Sequence, residues 1–280
     1  MTFKNISQTR RLAILAASLV ALSLAAPASA TSSPVIPAPL IYSLTHVPSS
    51  AFAKVGVHSS SQVYAPVHAK NQPVLTASTT KGALPDVLYV GGEFCPYCAA
   101  ERWPLVVALS RFGSFKGLSP MSSASTDVYP STPTVSFYHS SYTSKYIVFS
   151  PVEIYANYLN KKKTAWANLE TLTRRQARTL ATYDSSKYFP GVSATSPPIP
   201  FVDLGNAYLI VGSSFTPQVL HGLTRSQIIA SLAKPKTASA YAILATANYL
   251  TASICSLTHQ LPATVCKSAP VKIAALVLKK

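Results

Sequence analysis

Cys95 and Cys98 lie three positions apart in the stretch Gly91–Pro104, which reads GGEFCPYCAAERWP. A thiolate is both a nucleophile and a metal ligand, so this pair could exchange disulfides, bind a metal or form a structural disulfide. A zinc site needs four ligands, usually two close pairs, and no histidine flanks either cysteine. A disulfide across so short a loop constrains the unfolded chain little. We favour a redox pair and keep the metal site and the structural staple as alternatives.

The residues around the pair predict that it lies between a strand and a helix. Pro85–Gly92 is a run of Val, Leu and Tyr ended by two glycines, which is typical of a buried strand. Ala99–Gly113 has apolar residues at helical spacings and ends in glycine. Free N–H groups at a helix start stabilise a thiolate, so Cys95 is predicted to be the nucleophile. Cys98 is then the resolving thiol, which attacks a mixed disulfide at Cys95.

Three neighbours of the cysteines have predicted roles. Pro96 suits the first helical position, where no N–H group needs a partner. Tyr97 offers a flat surface that could contact a polypeptide or a small thiol. Glu93, two residues before the nucleophile, is a candidate proton carrier, and an ordinary solvated loop acid is the alternative reading.

The other two cysteines are Cys255 and Cys266, near the end of the chain. Pairing within each local group joins them in a disulfide that clips the last predicted helix, within residues 238–268. We expect a structural staple here, and a second redox relay is the alternative.

Residues 1–30 predict a signal peptide. Three basic residues precede an apolar run, which ends in the small residues Ala28, Ser29 and Ala30. An uncleaved membrane anchor is the alternative, because the apolar run approaches the length that spans a bilayer. Under either reading the protein is extracytoplasmic, secreted or in the cell envelope, and residues 31–45, rich in Pro, Ser and Thr, are expected to form a flexible lead.

Residues 46–280 are predicted to form one α/β domain, because strand and helix patterns alternate along them. The expected elements are a hairpin over Thr132–Tyr155, a helical insertion over about 156–190, two strands around a turn at Leu204–Ala207, a helix capped by Thr224 and Gln227, and a helix over Ala238–Leu257.

The charge balance is unusual because acids are scarce. The chain has 24 Lys and Arg against 8 Asp and Glu, a net charge of +16, or +13 without residues 1–30. The bases are spread along the chain, no known nucleic-acid motif is present and the leader indicates export, so we exclude nucleic acid as a partner. A surface of hydroxyl groups changes little in charge as pH falls, and we hypothesise an acidic exterior.

The stretch CPYC resembles the active site of the thioredoxin superfamily, in which this variant is typical of glutaredoxins. More closely, VLYVGGEFCPYCAAERWPLVVALSRFG, with the Ser/Thr-rich residues 122–130 and the C-terminal cysteine pair, is similar to an exported family catalogued as domain of unknown function 929. The likeness covers about residues 45–268. It implies a thioredoxin-like fold: a central mixed sheet flanked by helices, here with a helical insertion and an N-terminal extension.

The resemblance also implies a cis-proline beside the cysteine pair, just before a hairpin strand. Pro200 is the best match and Pro198 the alternative, and by this analogy Ile199 would offer its backbone to an extended peptide. One departure concerns the proton route. Thioredoxins have a buried acid six residues before the nucleophile, where this chain has Tyr89.

The function that these features predict is an extracytoplasmic thiol–disulfide oxidoreductase that oxidises or isomerises disulfides. Its partners would be thiols or disulfides of exported polypeptides and a membrane redox partner, and no cofactor or metal is expected. The alternative is a non-catalytic cell-envelope binding module on the same scaffold, with structural disulfides only. A thiol-binding or metal-delivery protein is a third reading.

Overall fold

The computed structural model describes residues 35–57, 63–193 and 197–279. The predicted signal peptide, residues 1–30, lies outside the described residues. The fold is mixed α/β, with one large sheet and helices on both of its faces.

The helices and strands follow one another in this order: α1 Ala38–Thr45, α2 Ser49–Val55, β1 Val67–His68, β2 Thr76–Thr79, β3 Gly82–Gly92, α3 Pro96–Leu109, β4 Gly113–Lys116, β5 Ser119–Ser122, β6 Pro133–Ser136, β7 Ser141–Ser144, β8 Val148–Leu159, β9 Trp166–Asn168, α4 Arg174–Tyr183, β10 Phe201–Leu204, β11 Tyr208–Val211, a short 3₁₀ helix Pro217–Leu220, α5 Arg225–Leu232, α6 Ala238–Leu257, α7 Ala263–Cys266 and α8 Ala269–Leu278.

The large sheet has the strand order β1-β11-β10-β3-β8-β9, and β2 pairs with the first residues of β3. Strands β3 and β8 are parallel, whereas the other pairs in this sheet are antiparallel. The sheet is therefore mixed, and β3, which leads to the cysteine pair, is one of its inner strands.

Strand β3 sends alternate side chains to two separate cores, as the period of two in a strand requires. Val87 and Tyr89 belong to the larger core, which also contains the buried faces of α3, α5 and α6. Leu88 and Val90 belong to a smaller core, closed by side chains of α4. Because β3 is covered on both faces, its end and the start of α3 are held in a fixed position.

The expected flexible lead over 31–45 is wrong from Ala38 onward. Helix α1 begins there, and its Leu44 is fully buried in the larger core. Helix α1 packs against α5 and α3. The Pro, Ser and Thr content indicated a spacer, but the apolar residues of this helix bury well enough to order it.

Two expectations about the middle of the chain are also wrong. Strands β6 and β7 do not pair as a hairpin: β6 pairs with β5, and β7 pairs with β4. The helical insertion over 156–190 is helical only in α4, where Thr173 and Gln176 form a capping box at its start. Trp166 pairs with Leu159 instead, so that β9 extends the sheet next to β8.

The C-terminal part agrees with its sequence pattern. The strands β10 and β11 are antiparallel around a turn, and Thr224 and Gln227 form the capping box of α5. A disulfide joins Cys255 at the end of α6 to Cys266 in α7, the pairing that the local grouping of the cysteines predicts. Helix α6 is long and apolar enough to cross a membrane, but 89% of that stretch is buried inside the protein.

The acidic residues are mostly inside the protein. All eight lie in the described part of the chain; six are buried, and Asp127 and Glu170 are partly exposed. The buried six are Asp86, Glu93, Glu101, Glu153, Asp184 and Asp203. Within residues 35–57, 63–193 and 197–279, neither carboxyl oxygen of Asp184 has a hydrogen-bond partner, and one oxygen of Asp203 has none. Burying such groups costs free energy, and the cost falls when they are protonated.

Candidate active site around Cys95 and Cys98

The cysteine pair lies where β3 ends and α3 begins. Cys95 is the N-cap residue of α3 and Pro96 is its first helical residue. The N–H group of Cys98 donates to Sγ of Cys95 at 3.3 Å, so the nucleophile candidate itself caps the helix. Pro96 has no N–H group to satisfy and its fixed φ fits the first turn, which explains why the chain enters the helix here.

The Cys95 thiol has a lowered pKa and a small exposed area. The largest cause is a hydrogen bond from the Cys98 side chain, and the Cys98 N–H group and the charge of Arg102 add to it, while burial opposes the change. Cys95 is 5% exposed. A thiol that loses its proton more readily than usual and keeps a small exposed area has the properties of an attacking sulfur.

The Cys98 thiol differs in both respects. It is fully buried, and burial raises its pKa well above that of a free thiol. The N–H group of Gly92 donates to its Sγ at 3.4 Å. Both cysteines are free thiols in this structure. The two sulfurs therefore differ in access and in acidity, as the assignment of a nucleophile and a resolving thiol requires.

Ile199 and Pro200 lie beside the first thiol. The Ile199–Pro200 peptide bond is cis, and the Cys95 thiol donates to the Ile199 carbonyl at 3.7 Å. Pro198 does not have this geometry. A side chain in place of the hydrogen at Gly92 would put a Cβ atom 3.2 Å from Cδ1 of Ile199. The same Cβ atom would lie 3.0 Å from Cε1 of Phe94, so glycine leaves room here for the side chains of both Phe94 and Ile199.

Aromatic side chains surround the pair. Tyr97 is 38% exposed and meets Tyr129 edge to face, with ring centroids 5.8 Å apart. Phe94, next to Cys95, stacks on Trp166 of β9 with centroids 4.7 Å apart. Tyr97 is thus available to a bound molecule, whereas Phe94 ties the cysteine loop to the edge of the large sheet.

Glu93 is not a solvated loop acid. It is buried, and Ser136 donates from Oγ to its Oε1 at 2.7 Å. Burial raises its pKa, with the negative charge of Glu153 also acting in that direction. The structure thus shows a buried carboxyl group in the cysteine loop, and this group holds its proton more firmly than an exposed glutamate does.

The sequence did not identify Arg102 and Glu153, which form a buried ion pair behind the cysteines. Arg102 Nε donates to Glu153 Oε1 at 2.8 Å, and Nη2 donates to Oε2 at 2.7 Å, with both side chains fully buried. Arg102 Nη2 also donates to the Gly92 carbonyl at 3.0 Å. The available signal was a charged pair, Glu101 and Arg102, within an otherwise apolar helix.

Glu101 points elsewhere. It is fully buried and accepts hydrogen bonds from the Ser214 N–H group at 2.8 Å and from Ser214 Oγ at 3.1 Å. Burial raises its pKa to about 8. It joins α3 to the segment after β11 and has no described contact with the cysteine pair.

Tyr89 occupies the position six residues before Cys95. It is fully buried, and its hydroxyl group has no hydrogen-bond partner in the described part of the chain. The Arg102 guanidinium lies 5.8 Å from the centre of its ring. Burial raises its pKa well above the usual range, so the side chain is neutral.

Among residues 35–57, 63–193 and 197–279, no three His, Cys, Asp or Glu side chains cluster in a way that could hold a metal ion. Cys255 and Cys266, bonded to each other, do not join Cys95 and Cys98.

Comparison with known proteins gives one family. The family described as Domain of unknown function (DUF929) matches residues 69–256, about two thirds of the chain. This range includes strand β3, the cysteine pair, the buried ion pair and most of α6. No curated protein and no solved structure matches.

Proposed function

The chain belongs to the family of domain of unknown function 929, and we propose that it is an extracytoplasmic thiol–disulfide oxidoreductase on a thioredoxin-like scaffold. The observation that carries the proposal is the difference between two adjacent thiols. Cys95 keeps 5% of its area exposed and has a lowered pKa, whereas Cys98 is fully buried and has a raised one.

The scaffold part of the proposal rests on the arrangement around the pair. An inner strand leads into a Cys-x-x-Cys helix start, a second parallel strand lies beside it, and a proline with a cis bond precedes an antiparallel strand pair. Thioredoxin-like proteins combine these parts. Here 104 residues separate Cys95 from Ile199, and strands β4 to β9 together with α4 lie in that interval.

The reaction begins from the disulfide form of the pair when the protein oxidises a substrate. A substrate thiolate attacks Sγ of Cys95, the Cys95–Cys98 bond breaks, and Cys98 leaves as a thiolate that takes up a proton. A second substrate thiolate then attacks the substrate sulfur of the mixed disulfide, and Cys95 leaves. The products are a substrate disulfide and the dithiol form of the protein, so two electrons pass to the protein.

The low pKa of Cys95 favours this direction, because a more acidic thiol is a better leaving group and its reduced form is stabilised. Exported compartments are also oxidising. A further turnover needs a disulfide or quinone-linked oxidant at the membrane, and isomerisation of an existing substrate disulfide needs none. The Ile199 backbone beside Cys95 would pair with an extended substrate segment.

The test is to trap a substrate. In the full chain, Cys98→Ser removes the resolving thiol, so polypeptides that react with Cys95 should stay attached through a disulfide that dithiothreitol releases. Cys95→Ser in the same background is the matched control and should trap nothing. The purified wild-type pair should also equilibrate reversibly with glutathione.

A pair that stays oxidised below about −300 mV would be structural and would contradict the proposal. Absence of trapped polypeptides, with partner binding unchanged in Cys95→Ser/Cys98→Ser, would favour the non-catalytic binding module.

A further inference from the structure

We propose that the buried Arg102–Glu153 pair is the positioning element that sets the reactivity and redox potential of the cysteine pair, in place of the buried acid at the position of Tyr89. The inference rests on the proposed function, and it adds two residues that act on the thiols through Gly92. It also predicts opposite effects when Glu153 alone loses its charge and when both partners lose theirs.

Stability alone is a poor explanation for this pair. Moving two charges out of water is costly, and well-packed apolar residues often serve a fold equally well. Both side chains are fully buried, and Nη1 of Arg102 has no hydrogen-bond partner among the residues that the structure describes. A guanidinium with one unpaired nitrogen in the protein interior exerts its charge on whatever lies near it, with little screening by water.

Hydrogen bonds connect Arg102 to the two cysteines. Arg102 Nη2 donates to the Gly92 carbonyl, and the same carbonyl accepts from the Cys95 N–H group at 3.2 Å. The Gly92 N–H group in turn donates to Sγ of Cys98. One residue at the end of β3 thus joins the guanidinium to both cysteines. The charge of Arg102 lowers the pKa of both thiols.

The groups around Arg102 determine how much of its positive charge is neutralised. Glu153 on β8 neutralises it directly, and Glu170 accepts from the Glu153 N–H group with its Oε2 at 2.7 Å. Glu93 in the cysteine loop has a raised pKa, and Tyr89 on β3 is neutral. Glu153 is therefore the partner that controls how much positive charge reaches the thiols.

The step affected is the uptake of two electrons by the Cys95–Cys98 disulfide. Two glutathione thiolates supply them: the protein disulfide bond breaks, a glutathione disulfide bond forms, and the two protein thiolates take up protons from water as far as their acidity allows. Arg102 favours the thiolates, and so it favours the reduced form and raises the reduction potential.

The experiment compares variants of the full chain that change this charge in opposite senses. Glu153→Gln leaves Arg102 without its counter-charge and should make Cys95 react with iodoacetamide at lower pH. Arg102→Met combined with Glu153→Gln removes both charges and should move the reaction to higher pH. The equilibrium constant with glutathione should shift by roughly tenfold or more in opposite directions, since one unit of thiol pKa corresponds to a factor of ten.

Glu101→Gln is the matched control, because it also alters a buried carboxyl on α3 but one that contacts Ser214. It should leave both measurements within about twofold of wild type. Arg102→Lys keeps a positive charge and should resemble wild type more than the double variant does. If the double variant fails to fold, Glu153→Gln alone still gives the direction of the effect, and Arg102→Lys tests whether a positive charge at this position is enough to keep it.

A purely structural role would shift both charge variants in the same direction, and either that result or no shift would overturn the inference. Failure of the proposed function looks different. It would appear as a wild-type pair that traps nothing and does not equilibrate with glutathione, while the iodoacetamide titration would still report whether Arg102 acts on Cys95.

Discussion

The sulfur of Cys95 lies 3.7 Å from the carbonyl oxygen of Ile199, although 104 residues separate the two along the chain. The contact joins the start of α3 to the segment that enters β10. It places backbone polar groups beside the more acidic thiol, where an extended polypeptide could reach both.

We expect Cys95 alone to react with iodoacetamide in the native reduced protein, because Cys98 is fully buried. The pH midpoint of the reaction should lie below that of an ordinary thiol, about 8.5, since hydrogen bonds from Cys98 lower the pKa of Cys95. Mass spectrometry of peptides after alkylation over a pH series measures both points. Equal labelling of the two cysteines would contradict the assignment of roles.

Tyr97→Ala should slow exchange with a peptide disulfide by roughly threefold to tenfold, in keeping with the loss of one aromatic contact of about 0.5–1.5 kcal/mol. The exchange with glutathione should change less, because glutathione is too short to cover the ring. Tyr42→Ala is the control, since Tyr42 is also exposed but lies on α1. Equal slowing with both disulfides would mean that Tyr97 affects Cys95 and not peptide binding.

The protein should be more stable at pH 4 to 5 than at pH 8. Burial raises the pKa of Asp184 and Asp203 to about 7 and that of Glu101 to about 8. In the unfolded chain, the carboxyl groups of Asp and Glu have pKa values of about 3.9 and 4.3. Between these pH values the folded state binds more protons than the unfolded state, so the free energy of unfolding falls as pH rises. The contribution of these three groups to stability is therefore greatest below about pH 4.

Asp203→Asn tests the cause of this dependence. The amide keeps the size of the side chain and an oxygen for the Asn206 N–H group, but it has no charge. Denaturant unfolding at pH 8 should show a gain of roughly 3–4 kcal/mol over wild type, since each unit of pKa difference corresponds to about 1.4 kcal/mol, and the gain should vanish near pH 4. A gain that is the same at both pH values would rule out titration of Asp203 as its source.

Replacing both Cys255 and Cys266 by alanine should lower the free energy of unfolding by about 2–3 kcal/mol, the loss expected for a loop with a separation of 11 residues. Reduction of a Cys95–Cys98 disulfide should cost much less, because a bond between residues three positions apart constrains the unfolded chain little. Thermal unfolding of the two samples side by side gives the comparison. A larger loss from the Cys95 pair would point to a structural disulfide there.

The parts that sequence analysis predicted are those in which local patterns suffice. The glycine pair that ends β3, the proline at the start of α3, the capping box of α5 and the apolar length of α6 each specify an element from a few adjacent residues. The proline before β10 is different, because its position beside Cys95 is implied by a resemblance and not by the neighbouring residues.

The parts that it missed depend on distant partners. Nothing near Trp166 indicates that it would pair with Leu159, and nothing near β6 indicates that β5 would be its partner. Arg102 and Glu153 are 51 residues apart, and only the parallel pairing of β3 with β8 brings β8 alongside the cysteine loop. The charged residues in an apolar helix were a signal, but the partner could not be named.

The burial of most carboxyl groups has a practical consequence for chemical labelling. Carbodiimides activate accessible carboxylates, and among the eight acidic side chains only Asp127 and Glu170 are even partly exposed. Carboxyl-directed crosslinking would therefore find few targets on the folded protein, and a rise in labelling would report its unfolding. The many lysines would remain available throughout, so amine-directed reagents would map the native surface while carboxyl-directed reagents map its loss.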